Sequence, residues 1–333
     1  MLARLRVLLL IAATSYAIAL LGLTAQHIVA PQRSGVLALT QIFAPYLFVP
    51  LVVLVPLAFL RGAMPLRVAL VLCVVAFGLR FMPRVAPPDI EPTAGGLQIT
   101  ALTWNVEVGG DPAAIRRMLL AKQPDIAAFE EVDWRALESD PELARLYPHS
   151  VFQPPYDATS GMALLSKFPI IEAGVPQIDS SLWERPRMLR ARLDVGGRVL
   201  NVLAVHPSPA GRRCRLSLCY DAALRDARLS AIRTLIEPAM QQGESVLLMG
   251  DFNTTEREPA YWEVSRGLRD SYKAVGAGLG NSWGPRWLRN RGLALLRIDY
   301  IFAGPQLYPL QATVDCTDAS SDHCALISVF QLR

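Results

Sequence analysis

The stretch "SVLLMGDFNTT", Ser245 to Thr255, runs four apolar residues into a glycine, an aspartate and an asparagine. An apolar run this short, bounded by turn residues, reads as a strand covered on both faces. Side chains two apart on a strand point the same way, so Asp251 and Asn253 face one point if the extended geometry persists. A plainer reading is also open. Asp and Asn often cap helices or close Asx-turns at strand ends for local reasons alone. The choice depends on whether other strands end in the same way.

They do. "LQITALTWNVEV" ends an alternating strand at Asn105, and "PDIAAFEEVD" is a short apolar run ending at Glu130 and Glu131. "RVLNVLAVHPS" ends at His206, "LLRIDYIFAG" carries Asp299 inside a strand, and "SSDHCALISVF" places Asp322 and His323 just before one. One such end is turn chemistry. Six drawn from metal ligands, acids and bases read as a shared site where central strands converge. Between them, "DPAAIRRMLLAKQPD" and "YDAALRDARLSAIRTLIEPAM" have apolar residues at helical spacing, each with an Asp near its start and a Pro toward its end. "VGGR", Val195 to Arg198, is a hairpin turn between two strand-like runs. The fold class is α/β: two mixed sheets packed together with helices outside.

The first 96 of the 333 residues are of another kind, with only nine charges. Leu5–Leu23 contains one arginine, Arg6, and is long enough to span a bilayer. Val36–Leu60 is uncharged but interrupted by Pro45, Pro50 and Pro56, which spanning helices tolerate. Val68–Leu79 is short, and Arg67 and Arg80 can extend it by snorkelling. Residues 1–82 therefore read as an anchor of about three transmembrane helices in a plasma or inner membrane. Arg4, Arg6, Arg61 and Arg67 on one side, against Arg33 on the other, put the N-terminus in the cytoplasm and everything after the third span outside, in the periplasm or beyond. "PRVAPPDIEPTAGG", residues 83–96, reads as a semi-stiff linker, and residues 97–333 as the catalytic domain.

Two compositional facts bear on partners. Residues 97–333 hold 26 basic and 27 acidic residues, so the alkaline balance belongs to the anchor. A domain that lives by gripping nucleic-acid phosphates usually presents a basic face, and overall balance supplies none. The local runs "RRCR" (212–215) and "WGPRWLRNR" (283–291) are the exceptions. Cys214, Cys219, Cys316 and Cys324 are even in number and fit up to two disulfides in an oxidising compartment, with Cys214–Cys219 and Cys316–Cys324 the local pairings and free thiols the alternative.

The ordered set "TWNV", "FEEV", "GMALLSKFPI", "AVH", "GDFN", "RIDYIF" and "SDH" resembles the endonuclease/exonuclease/phosphatase superfamily over essentially all of residues 97–333. The resemblance implies a four-layered α/β sandwich and a metal-dependent phosphoesterase. By it, Glu131 is the principal metal ligand, with Asn105 and Asp322 close to the ion or phosphate. Asp251 is the base or water-orienting carboxylate, Asn253 bonds the phosphate, and Asp299 orients His323. His206 clamps a phosphate oxygen or protonates the leaving group. Whether Asp251 or His323 takes the proton stays open. One departure is "FEEV", where Glu130 stands in place of the family's Gln. His149 matches no motif, and Trp283 and Trp287 read as packing residues.

Phosphoester hydrolysis needs a cation on the non-bridging oxygens, a placed water and a stabilised leaving oxygen. Oxygen ligands suit Mg²⁺ or Mn²⁺. The leading expectation is a membrane-tethered phosphoesterase acting on a lipid-linked or other phosphorylated extracytoplasmic substrate. A tethered nuclease is the alternative, and a non-catalytic binding domain on the same scaffold the third.

Overall fold

The structure is a computed structural model that describes residues 2–108, 110–154, 161–179, 181–183, 186–211 and 220–333. Cys214, Cys219 and the "RRCR" run lie outside these described residues. The chain divides into two compact units, the first built on Met1–Pro83 and the second on the described residues from Arg84 onward, apart from 220–221 and 257–259.

In the first unit, helix α1 spans Leu2–Val29, α2 Gly35–Ile42, α3 Pro50–Leu54 and α4 Met64–Phe81. Two 3₁₀ segments, Ala44–Phe48 and Val55–Phe59, flank α3. Each proline lacks an N–H and crowds the preceding turn, so Pro45, Pro50 and Pro56 break what the sequence presents as one uncharged run. Gly35–Ile42 and Ala44–Phe59 meet at 82°. Ala3–Val29 and Met64–Phe81 are long and apolar enough to cross a membrane, and the bent pair makes a third candidate if it counts as one span. The structure thus differs from the expected anchor in which segment is interrupted. The expected short run Val68–Leu79 belongs to an 18-residue helix that takes in both flanking arginines, while the middle segment is the broken one.

Helices α1 and α4 run parallel. Cys73 Sγ lies 3.5 Å from Ala17 O, and Arg80 Nη1 donates to Thr24 O at 2.8 Å. Ala17 and Cys73 are fully buried, small side chains that let the two backbones approach. Phe48, Phe77 and Phe81 close the contact with ring centroids 5.4–5.7 Å apart.

Among the described residues the second unit has twelve strands: β1 Leu97–Asn105, β2 Ile126–Glu130, β3 His149–Gln153, β4 Met162–Ser166, β5 Ile170–Gly174, β6 Met188–Val195, β7 Arg198–Val205, β8 Ser245–Asp251, β9 Arg269–Asp270, β10 Asp299–Ala303, β11 Leu307–Asp315 and β12 Ala325–Leu332. They form two six-stranded sheets, ordered β11-β12-β1-β2-β4-β3 and β5-β6-β7-β8-β10-β9. In each sheet one central pair is parallel, β1 with β2 and β7 with β8, and the rest are antiparallel. The "VGGR" hairpin joins β6 to β7 as expected, with Gly196 and Gly197 at φ 62° and 85°, as the tight right-twisting turn requires.

Alternation sorts the side chains into layers. Ile99 and Ala101 of β1, Ile126 and Ala128 of β2, Leu247 and Met249 of β8, and Ile301 and Ala303 of β10 share the core between the sheets. The opposite face of the first sheet packs on helix α5, Pro112–Lys122, through Ile115, Met118 and Leu119. That of the second sheet packs on Ala223–Gln241 through Leu229, Ile232 and Ile236. This is the four-layered α/β sandwich. Residues 84–96 carry no helix or strand and are tied to this unit. Arg84 O accepts from Gly278 N, Ile90 packs on the inter-sheet core, and Thr93 N and O bond the Gln331 amide at 2.9 and 2.7 Å.

Candidate active site

The rows of side chains that fill the inter-sheet core change character at one end. Following β1 from Ile99 through Ala101 and Thr103, the next inward position is Asn105. In β2 the same row runs Ile126, Ala128, Glu130, and in β8 Leu247, Met249, Asp251. In β10, antiparallel to β8, Asp299 begins the strand and sits opposite Asp251. His206 follows directly after β7, and His323 lies just before β12. The apolar core therefore continues without a break into a polar floor, in which Asn105, Glu130, His206, Asp251, Asp299 and His323 are all buried. Glu131, Asn253 and Asp322 are half-buried and mark its open side.

Alternation alone would point Glu131 away from this floor, since it follows Glu130. A left-handed backbone corrects it, with φ 60° at Glu131. Asn253 at 51° and Glu107 at 56° are turned in the same way. Of the four non-glycine residues with such φ among the described residues, three border the site, where strained backbone is characteristically held. At Asn253 the expected extended geometry stops at Asp251. The two side chains meet through an Asx-turn instead, Asn253 N donating to Asp251 Oδ1 at 2.8 Å and its Nδ2 to Oδ2 at 3.1 Å. Both readings of "GDFN" hold at once: the turn is local chemistry, and it aims a carboxylate. The glycine is required as well. Gly250 has φ 138°, and a Cβ there would lie 2.0 Å from Val205 O.

Asp251 is the hub. Its Oδ2 accepts from Asn105 Nδ2 at 3.2 Å and lies 3.5 Å from His206 Nε2 and 3.8 Å from His323 Nε2. Glu131 Oε1 shares two of these neighbours, Asn105 Nδ2 at 3.4 Å and His206 Nε2 at 3.5 Å. The Asn105 amide oxygen is taken by Glu107 N at 2.9 Å, so Asn105 presents its donor to both carboxylates. Asn253 Nδ2 also bonds Pro207 O at 3.0 Å, joining the ends of β7 and β8. His323 Nδ1 sits 2.9 Å from Asp299 Oδ2, which leaves Nε2 facing Asp251 and, at 3.8 Å, Asp322 Oδ1. Arg297, two residues before Asp299, pairs with Asp270 at 2.7 Å.

Burial and crowding set the charges. Burial alone would strip the proton from His323. The carboxylates of Asp299 and Asp251 outweigh it and hold the imidazolium, with its pKa pushed up to about 10. Burial raises the Asp251 carboxyl to about 7, against the pull of the His323 cation and with the push of Asp299. Glu131 is raised mainly by burial. Glu130, fully enclosed and repelled by Asp299 and Asp251, is held far above the usual carboxylate range. Its Oε1 accepts from Thr103 Oγ1 at 3.0 Å, and its Oε2 has no hydrogen-bond partner among the described residues. A neutral carboxylic acid matches the shape and charge of an amide. That is the physical sense of finding Glu where the family's motif has Gln.

Several residues of this constellation escaped the sequence. Ser282, fully buried, donates to Asp299 Oδ2 at 2.5 Å. Ser321 Oγ donates to Asn105 O at 2.7 Å and accepts from His323 N at 2.9 Å. Trp283, expected only to pack, donates its indole N–H to Asp322 Oδ2 at 2.8 Å. Glu107 accepts from Asp322 N and pairs with Arg286 at 2.7 Å. Serines and tryptophans have too many ordinary uses to stand out. Glu107, inside "TWNVEV", was the one visible hint. The Cys316–Cys324 disulfide closes the loop that carries Asp322 and His323, in agreement with the expected local pairing.

The donor set can be tested for a cation. Asp251, Asp299 and His323 bring one ligand atom each to within 4.8 Å of one another, but Asp299 and His323 are already bonded together. The oxygen-rich side is the other one. There the Glu131 and Asp251 carboxylates converge on one shared amide and one shared imidazole. These residues fit a hard divalent cation that takes carboxylate oxygen and keeps its waters.

No curated protein matches the chain at a significant level. Among solved structures, truncated Caenorhabditis elegans TDP2 is 20% identical with a TM-score of 0.57, covering 71% of this chain and 98% of its own. The human nocturnin catalytic domain with bound sulfate is 20% identical at a TM-score of 0.56, covering 74% and 99%. A variant of the 3′ phosphatase NExo from Neisseria, bound to a product DNA hairpin, is 18% identical at 0.56, covering 70% and 99%. At these identities the likeness establishes the fold. The family is established separately, by a match of residues 102–323 to the model of the Endonuclease/Exonuclease/phosphatase family. The chain belongs to that family, whose members are divalent-metal-dependent phosphoesterases.

Proposed function

We propose that this chain hydrolyses a phosphoester with a water activated by Asp251, on a substrate held beside a membrane. The observation that carries the reading is the opposition of Asp251 and His323 across 3.8 Å, one poised to accept a proton near neutrality and the other kept protonated. Glu131, with Asp251 and Asp322 nearby, would hold Mg²⁺ or Mn²⁺, which supplies charge neutralisation on the non-bridging oxygens. Asn105 and Asn253 steady the Asp251 carboxylate so that one oxygen faces the incoming water. The His323 imidazolium, oriented by Asp299, faces the developing charge on phosphorus-bound oxygen. His206 is placed to donate toward a phosphate or leaving oxygen. Burial of this floor strengthens each of these interactions.

The anchor supports the membrane part of the proposal. Parallel α1 and α4 begin at the same end of their unit, so the bent segment between them must carry the chain back across it. On this membrane reading the number of crossings is odd, with residues 84–333 on the side opposite Arg4 and Arg6. A substrate pool of phosphorylated lipids or envelope material suits that side, because tethering raises effective concentration near head groups. A nuclease reading keeps a specific support of its own, the DNA product in the Neisseria 3′ phosphatase. The near-neutral charge of residues 97–333 weighs against it.

The test is turnover of the detergent-solubilised chain on a panel of phosphorylated lipids, small phosphoesters and nucleic acids, with Mg²⁺ and with chelator. Glu131→Gln removes the ligand charge at nearly constant shape and is expected to lose most of the activity, roughly 10²-fold or more. Full activity in excess chelator would sink the mechanism, and turnover of DNA or RNA alone would install the nuclease reading.

A further inference from the structure

Residues 1–83 contain six arginines and no Asp or Glu. Four of the six, Arg4, Arg6, Arg61 and Arg67, flank the starts of α1 and α4. The parallel packing of the two helices brings two of these together. Arg6 and Arg61 line one cavity of about 370 Å³, whose walls include Leu10, Ile11 and Pro65. Neither guanidinium has an acidic partner among the described residues, and no acid in the neighbouring sequence could supply one. The cavity thus joins two unbalanced positive charges to an apolar wall at one end of a helix pair long enough to span a bilayer.

We propose that this cavity binds the head group of an anionic phospholipid, with the phosphodiester between Arg6 and Arg61 and an acyl chain along Leu10, Ile11 and Pro65. The inference rests on the membrane reading of the first unit. Charge complementarity selects the ligand class, because a zwitterionic head group would bring its own cation to a site that already holds two. Guanidinium forks suit phosphate oxygens, and a basic pocket between membrane helices is a recognised setting for such lipids. Thr14, also on the wall, already spends its hydroxyl proton on Leu10 O at 2.7 Å, and Ser15 adds one neutral hydroxyl, so the charged donors of the wall are the two arginines.

The full chain, purified in a non-ionic detergent, would be mixed with equal amounts of phosphatidylglycerol and phosphatidylcholine and the retained lipid read by native mass spectrometry. The expected result is selective retention of phosphatidylglycerol, falling roughly thirtyfold in an Arg6→Gln/Arg61→Gln variant. Arg4→Gln/Arg67→Gln, which removes the same charge outside the cavity, is expected to keep the lipid. Arg6→Lys/Arg61→Lys guards against misfolding and is expected to keep the preference for the anionic lipid. Equal loss in both Gln variants, equal retention of the two lipids, or displacement by inorganic phosphate would each overturn the proposal. A chain that needs no detergent would remove the membrane reading and this site together. A chain that needs detergent but shows no preference removes the site alone.

Discussion

Glu130 is the residue at which burial and charge conflict most. Its carboxyl keeps a proton in the folded chain that it loses near the usual carboxylate pKa when unfolded, so the folded state binds more protons as pH rises through that window. Stability should therefore be complete below the unfolded pKa and fall above it, by up to about 1.4 kcal/mol per pH unit for this one proton. In chelator, Glu130→Gln is expected to show a shallower fall by that amount, with little difference near pH 4, roughly the unfolded carboxylate pKa, measured by urea midpoints across pH. Identical slopes would mean that Glu130 ionises in place. Asp251 and His323 are coupled differently, each maintaining the other's protonation state. Alanine at either should cut turnover by roughly 10²-fold or more, and the double variant should cost far less than the product. Multiplicative losses in single-turnover assays would assign them to separate steps. These residues were legible because acids, amides and histidines at strand ends are few. The serines that hold them were not, since a hydroxyl on Asp299 looks like any other in the sequence.

Elements are most legible in the sequence where periodicity and turn chemistry agree, as in the Val195–Arg198 hairpin and the α5 helix with its Asp111 cap. They are least legible where tertiary contact decides. The uncharged run Val36–Leu60 has one composition throughout, yet its prolines divide it into two helices and two 3₁₀ segments. The loop between β11 and β12 is a further case, because its function depends on a covalent closure that spacing only made possible. Cys316 and Cys324 bracket Asp318, which binds Arg117 at 2.9 Å, and the Asp322–His323 pair. Loop-closure entropy for so short a ring is worth about 2–3 kcal/mol. Replacing both cysteines with serine should lower stability by about that much. Activity should fall further than the unfolded fraction explains, because Asp322 and His323 lose a fixed frame. Turnover that tracks the folded fraction alone, followed by circular dichroism on the same samples, would make the bridge a purely structural staple.

At the scale of the whole chain, the membrane reading turns on the parity of crossings. Val68–Leu79 is the shortest apolar run by composition, but it is the bent segment whose 82° break fits either a re-entrant loop or a span. Helix direction separates the two. A re-entrant segment returns the chain to the end it left, and α4 would then run antiparallel to α1. From the contact Ala17–Cys73 to the contact Thr24–Arg80 the residue numbers instead rise together along both helices, which is the signature of parallel packing. Three crossings would place residues 84–333 outside, where a Cys316–Cys324 bridge persists without a reducing pool to break it. Reporter fusions at three points read each crossing by itself. An export-dependent reporter should be active after Pro31, silent after Gly62 and active again after Arg333, with a cytoplasm-dependent reporter giving the inverse. Activity of the export-dependent reporter after Gly62 but not after Arg333 would mean that the bent segment does not cross. The domain would then face the cytoplasm, the disulfide would lose its compartment, and nucleotides and nucleic acids would become the first substrates to try.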